Sequence, residues 1–394
     1  MKKRIQYIAF FLMISLFLAS CATQTISQTS RVDFPQVQSV SLASTPNGKI
    51  YIALGAHHTI SIASSTDGGK TFSEPILASS NVNAHVLPVE RPVLAVHNEN
   101  IVATAWLEQS ADFTSATIWY TSSNDGGQTF SEPIQVATDS GFEIVMVQVV
   151  FNQDGNPLLT WLTDGTLRYT YSDTFGESFA QVQTIEGGAC ECCQPSLIAM
   201  GEQVWMAYRG LELHTDGNNI RDILVAISND GGKTYQSTTR VSDAHWYLNA
   251  CPIAGPSFAS FEDTLYITWM DGREAEANTK FTGSVWFSSS TDLGKSFSPN
   301  VKINPNPEIH QTMPFMAIDT NGDIHLVWET HSSDAQNIQY AYSNDNGNTF
   351  SKAQALVNSD NGTPRMPVLV TTPNNEFVLA WIDTSGAHVL SWME

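Results

Sequence analysis

Apolar and polar residues alternate with a period of two along much of the chain, as in Ile60-Ser61-Ile62-Ala63 and Ile338-Gln339-Tyr340-Ala341-Tyr342. Successive side chains then point to opposite faces of an extended backbone, so the pattern predicts β-strands. No segment beyond the N-terminal leader shows a helical period. Some of these runs end in a large residue, usually Trp, ahead of a polar loop. They stand at Tyr51–Leu54, Val102–Trp106, Leu158–Trp161, Val204–Tyr208, Leu265–Trp269, Ile324–Trp328 and Phe377–Trp381, seven copies in all. A polar phrase, Ser-x-Asp-x-Gly-x-Thr-Phe or a close variant, recurs at 65–72, 123–130, 228–235, 290–297 and 343–350. A worn copy at 172–179 carries Thr174 in place of the Asp. Two signals returning at roughly 50–60 residues mark one supersecondary unit used repeatedly, and such units build stacked or closed arrays.

The phrase has a definite turn chemistry. An Asp side chain can accept hydrogen bonds from backbone N–H groups a few residues on, and Gly supplies a conformation with φ > 0. Asp67, Asp125, Asp230, Asp292 and Asp345 are therefore read as structural staples of tight hairpins, with the closing Phe or Tyr packed between neighbouring units. The phrase is similar to the Asp box, or bacterial neuraminidase repeat, and the chain resembles the sialidase-like β-propeller superfamily over nearly all its length after the leader. That resemblance implies an all-β propeller of four-stranded blades. It does not carry an activity, because Asp boxes also occur in propellers that are not sialidases. Seven Trp-type strands favour seven blades, with six as the alternative. The last unit holds only three strands before the chain stops at Glu394, so Arg31 to Gln36 is expected to complete it. Residues 31–394 are then a single domain.

Composition agrees: 42% apolar and 10% aromatic against 14% charged residues suit a large all-β core. Lys2, Lys3 and Arg4 followed by the apolar run Tyr7 to Leu18 read as an export signal over residues 1–20. Leu18-Ala19-Ser20-Cys21 is similar to a bacterial lipobox, which implies lipidation at Cys21 and a membrane anchor. Ala22 in the following position points to the outer membrane, facing either the periplasm or the exterior. Residues 21–30 read as a polar tether. The 18 basic residues against 39 acidic ones leave a formal charge of −21, which speaks against nucleic acid and anionic lipid surfaces as partners.

If the repeated phrases close the turns between third and fourth strands, the opposite face carries the chemistry. A Pro landmark shows where the chain passes into several innermost strands: Arg91-Pro92, Cys193-Gln194-Pro195, Cys251-Pro252, Met313-Pro314 and Arg365-Met366-Pro367. These residues are expected around the mouth of a central channel. Cys190, Cys192 and Cys193 precede unit four and Cys251 holds the matching place in unit five; with Cys21 they make up all 5 cysteines. His245, Trp246, Tyr247, His310, Met313 and Met316 stand nearby in this reading. In an oxidising compartment one expectation is a disulfide from Cys251 to one member of the cluster, pinning units four and five. Pairing all four is disfavoured, since three fall within four residues and a vicinal bridge is strained. The other expectation is a soft-metal site. Thiolate and thioether ligands, joined by His310, select Cu(I); zinc fits less well, because Cys-x-Cys-Cys lacks the spacing of ordinary zinc modules. The Cys-x-Cys-Cys stretch and Asn249-Ala250-Cys251-Pro252-Ile253-Ala254-Gly255-Pro256 together resemble a group of exported Asp-box proteins.

Sialidase chemistry would need three arginines on the sugar carboxylate, a Tyr nucleophile paired with a Glu, and an Asp acid/base. The candidates are Arg91, Arg221, Arg273, Arg365, Tyr247 and Asp271, while Arg209 and Arg221 flank the loop 210–220 and are read as supports. The Arg-Ile-Pro stretch that the family carries near its first blade is missing, and no Tyr precedes the last Asp-box unit. The expectation is therefore a lipid-anchored binding propeller for a glycan or small molecule, with a sialidase-type hydrolase as the alternative.

Overall fold

The computed structural model describes residues 27–393 apart from 79–82, 111–114, 140–144, 214–218, 249, 276–281, 305, 307, 333–334 and 360–361. The leader and Cys21 lie outside the described residues. Seven antiparallel four-stranded sheets follow one another along the chain, with no α-helix among the described residues. Residues 39–77, 93–139, 145–185, 196–240, 257–302 and 310–357 form blades 1 to 6. Blade 7 takes three strands from 365–393 and its outermost strand from Ser27–Pro35. The seven Trp-type runs each lie in the second strand of a blade, so seven is the blade number.

The closing strand begins earlier than the sequence suggests. Its pairing runs from Ser27 opposite Met393 to Pro35 opposite Gly386, and Ser30 Oγ bonds Ser391 Oγ at 2.7 Å. Residues 27–30, expected in the polar tether, belong instead to this strand, because an outermost strand that keeps one edge toward solvent accommodates polar residues. An extra two-stranded hairpin, Glu212–Leu213 with Asn219–Ile220, grows from the turn between strands two and three of blade 4.

The core is divided into layers, one between each pair of neighbouring blades. Between blades 4 and 5, for example, Trp205, Val225 and Ile227 meet Leu265, Ile267 and Trp269. Trp106, Trp161, Tyr208, Trp269, Trp328 and Trp381 are 3% exposed or less, so the repeated aromatic is a core residue and not a ligand platform. Burying an apolar side chain of this size contributes about 1.5–3 kcal/mol.

Between the layers the repeated phrase works as its chemistry suggests. Asp67 Oδ1 accepts the Thr71 N–H at 3.0 Å and the Ser65 hydroxyl at 2.8 Å, while Oδ2 accepts the Thr71 hydroxyl at 2.6 Å. The same three bonds recur at Asp125, Asp230, Asp292 and Asp345. In the worn copy Thr174 Oγ1 takes over, accepting the Ser178 N–H at 2.9 Å. The aromatic that ends each phrase reaches the preceding blade: Phe179 meets Tyr120 at 5.3 Å and Tyr235 meets Tyr169 at 4.8 Å. Stapled turns and bridging aromatics thus occupy one face. The opposite face is left to longer loops.

Candidate functional site

Six blades send the start of their innermost strand, or the loop leading into it, to the centre of that opposite face. They enclose a cavity of about 70 Å³ whose lining includes Arg91, Met146, Gln194, Met313, Phe315 and Met366. Of the Pro landmarks, Pro195, Pro314 and Pro367 line it as expected from the sequence. The landmark of blade 5 does not. Pro256 takes that place, because Gly255 lies so close to the Gln194 backbone that only hydrogen fits, and this contact sets the loop's register. Cys251 and Cys193 accordingly stand away from the cavity lining, and Arg365 is exposed.

Three methionines share an unusual backbone. Met146, Met313 and Met366 have φ of 59°, 48° and 55°, each at a register break between first and second strands. Non-glycine residues rarely hold this left-handed conformation, and where they do the surroundings impose it. For Met366 the imposing group is Glu329, a buried carboxylate that accepts the Met366 N–H at 2.7 Å and also meets His331 Nε2 at 3.0 Å. Met313 and Met366 were legible through the Pro that follows each. Met146 has no such Pro and was missed; its one sequence trace is its place at the head of blade 3.

Arg91 is the charged member of the lining. Its Nη2 donates to Gln194 Oε1 at 2.9 Å and its guanidinium lies 5.9 Å from the centre of the Phe315 ring. It pairs with no carboxylate among the described residues, and burial lowers its pKa to about 10. A cation in these surroundings is poorly compensated, which is a standing attraction for an anion.

Beside the mouth lies the sulphur cluster. Cys192 and Cys251 form a disulfide, with Cα atoms 6.4 Å apart, joining the loops that lead into blades 4 and 5. Cys190 and Cys193 are buried free thiols, and the Sγ atoms of Cys190, Cys192 and Cys193 lie within 4.8 Å of one another. Two arginines support the cluster. Arg209, 1% exposed, donates to the carbonyls of Ala254, Met270 and Arg221 and lies 5.2 Å from the centre of the Trp246 ring. Arg221 donates to the Leu248 carbonyl at 2.9 Å and, through Nη1, to Cys190 Sγ at 3.1 Å. A hydrogen bond from the Cys193 thiol, helped by the charges of Arg209 and Arg221, outweighs burial and lowers the Cys190 thiol to about 6. Cys193 moves the other way, pushed well above its ordinary value by burial.

The remaining candidates lie apart. Arg273 bonds Asp271 through Nε and Nη2, reaches Asp243 at 3.0 Å and stacks 4.1 Å over Trp286, while Trp269 Nε1 donates to Asp271. Asp271 is thereby a buried anchor for Arg273. Tyr247 is about half exposed, and Arg221 is engaged by the thiol cluster. Of the four candidate arginines, Arg91 alone lines the cavity. His310 accepts the Gly283 N–H at 2.8 Å and lies 5.8 Å from His331 in blade 6, outside the sulphur cluster. Met313 lines the channel. The bridge withdraws two of four thiols, so this oxidised chain does not offer the donor set of a four-thiolate zinc site, and Cys190 and Cys193 remain as the free thiols of the cluster.

No family model matches the chain, and no curated protein does. Solved structures do. An α-L-arabinanase from Penicillium chrysogenum complexed with arabinobiose is 12% identical, with a TM-score of 0.56 over 94% of this chain and 99% of that one. An α-L-arabinofuranosidase from Fusarium graminearum bound to an iminosugar inhibitor is 14% identical, with a TM-score of 0.54 over 93% and 97%. The intramolecular trans-sialidase from Ruminococcus gnavus is 14% identical with a TM-score of 0.46, over 92% and 96%. The structural neighbours are arabinanase- and sialidase-type propellers, and the likeness is one of fold.

Proposed function

We propose that this propeller binds a small organic anion at the mouth of its central channel and does not hydrolyse it. The observation that carries this reading is Arg91, held by a neutral amide and an aromatic face inside a cavity whose lining is otherwise uncharged and includes three methionines and four prolines. A carboxylate placed there would gain a charge-assisted bond, and an apolar body would lie against the thioethers. Glycoside hydrolysis needs two carboxylates across a pocket, and the described residues lining this cavity include neither Asp nor Glu. A hydrolase of sialosides or arabinosides, the alternative, draws support from the fold alone.

Calorimetry with pyruvate and N-acetylneuraminate as probes tests the reading. At least one should bind, its methyl ester should not, and Arg91→Met should weaken binding about 10–100-fold, the worth of one charge-assisted bond. Turnover of a fluorogenic sialoside or arabinofuranoside that disappears in Arg365→Ala or Asp271→Asn would replace this proposal with the hydrolase.

We further propose that Cys21 carries a lipid anchor in the outer membrane. The sequence Leu18-Ala19-Ser20-Cys21 supports this. Ser27 lies opposite Met393, the end of blade 7 that corresponds to the repeat turns of the other blades. An anchor only six residues upstream would hold that face toward the membrane and leave the channel mouth pointing away.

A further inference from the structure

Cys190 and Cys193 bound a Cys-x-x-Cys stretch, and one of its inner residues, Cys192, belongs to the neighbouring disulfide. Cys190 is fully buried, so no outside molecule reaches it directly, yet its Sγ lies 3.7 Å from Cys192 Sγ. At the other end of the bridge, Cys251 is exposed. Arg209 is a buried guanidinium whose hydrogen bonds go to carbonyl oxygens, and Arg221 adds a second positive charge directly on Cys190 Sγ. Buried cations of this kind need an anion, and the thiolate of Cys190 is the group placed to supply it.

We propose that Cys190 is a thiolate nucleophile toward the Cys192–Cys251 disulfide, and that the four cysteines form a relay carrying two electrons from a buried dithiol to the surface. The lone pair of Cys190 Sγ bonds to Cys192 Sγ, and the Cys192–Cys251 bond breaks with its electron pair on Cys251. Cys193 then attacks Cys190 Sγ, forming the Cys190–Cys193 disulfide and releasing Cys192. The proton of Cys193 passes to one of the two released sulphurs. One disulfide is broken and one made, so the exchange needs no outside oxidant. The Cys192/Cys251 dithiol can then reduce an external disulfide: Cys251 attacks one of its sulphurs, and Cys192 resolves the mixed disulfide and restores the original bridge. The substrate class is a disulfide presented at the channel-mouth face, and the activity is thiol–disulfide exchange. It does not depend on any ligand of Arg91.

The native oxidised chain, treated with dithionitrobenzoate without denaturant, decides the matter. The wild type should release two thionitrobenzoates per chain although both free thiols are buried. Cys193→Ser should release one and retain the other half of the reagent on Cys251. Cys190→Ser should lose the reaction, at least ~tenfold in rate, while disulfide mapping finds the Cys192–Cys251 bridge intact and circular dichroism finds the fold unchanged. The charged and titratable groups facing Cys190 are Arg209, Arg221 and Cys193, and the rate should rise as pH passes about 6, the value at which Cys190 loses its proton. A wild type that reacts only after unfolding, or a Cys190→Ser chain as fast as wild type, overturns the proposal. So does acid-quenched alkylation that never labels Cys251 in the wild type, a readout independent of any variant's folding. Stoichiometric bound metal that blocks the reaction would likewise overturn it.

Discussion

Arg209 shows a role that sequence position alone suggests. Flanking the loop 210–220 it reads as a support, and its donors go to the carbonyls of Ala254, Met270 and Arg221. It ties the turn of blade 4 to the loop and second strand of blade 5, and its charge faces Cys190. Arg209→Met removes those donors and leaves the thiolate with one of its two cations. Unfolding free energy should fall by about 3–5 kcal/mol, as for other broken buried charge sites. The rate of thionitrobenzoate release from the oxidised chain should reach its plateau at higher pH. A loss below ~1 kcal/mol with an unchanged release profile would remove Arg209 from the cluster. Arg91 presents the reverse case: nothing local distinguishes it from Arg365, but one faces a methionine-lined cavity and the other faces solvent.

At the scale of the element, each repeat turn is a small self-contained structure. Asp292 collects the Ser290 hydroxyl, the Ser296 N–H and the Ser296 hydroxyl, and these bonds lower its pKa to about 2. Asp125 is lowered further by the equivalent bonds, led by the Thr129 hydroxyl. A carboxylate whose pKa is depressed on folding stabilises above its ordinary value near 3.8 and loses that stabilisation as pH falls through the folded value. The contribution of these turns to the unfolding free energy should therefore be level from neutral pH to about 4 and fall between about 4 and 2. Denaturant titrations at stepped pH measure this. Asp292→Ala should lower the plateau by about 1–2 kcal/mol, the scale of its lost bonds, and flatten the acid limb. A variant with an unchanged acid limb would show that these turns do not set acid stability. The turns were legible in sequence because every bond in them is local, spanning four residues or fewer. The left-handed backbone of Met366 was not, since Glu329, which accepts its N–H, lies 37 residues away along the chain.

The whole molecule is a ring whose last blade is closed by its first strand, over seven pairs from Ser27 opposite Met393 to Pro35 opposite Gly386. Val32 and Phe34 from that strand pack on the layer between blades 7 and 1. A chain lacking residues 27–36 would expose one edge of blade 7 and part of this layer. It should unfold in two transitions or at a temperature at least ~10 °C lower, read by calorimetry, where the full chain unfolds in one. A single transition at the full chain's temperature would mean that closure is unimportant. Period-two alternation, seven Trp-type strands and local turn chemistry were enough to determine the fold and blade number from sequence, because a repeated unit states its own pairing rules. The chemistry of the face was not determined that way. Cys192 and Cys251 are 59 residues apart, and their bonding depends on two loops meeting over adjacent blades. Only the tertiary structure decided which sulphurs pair, which thiol faces two arginines, and which of several arginines looks into the channel. Those outcomes depend on distances between blades, and distances between blades are a property of the closed ring.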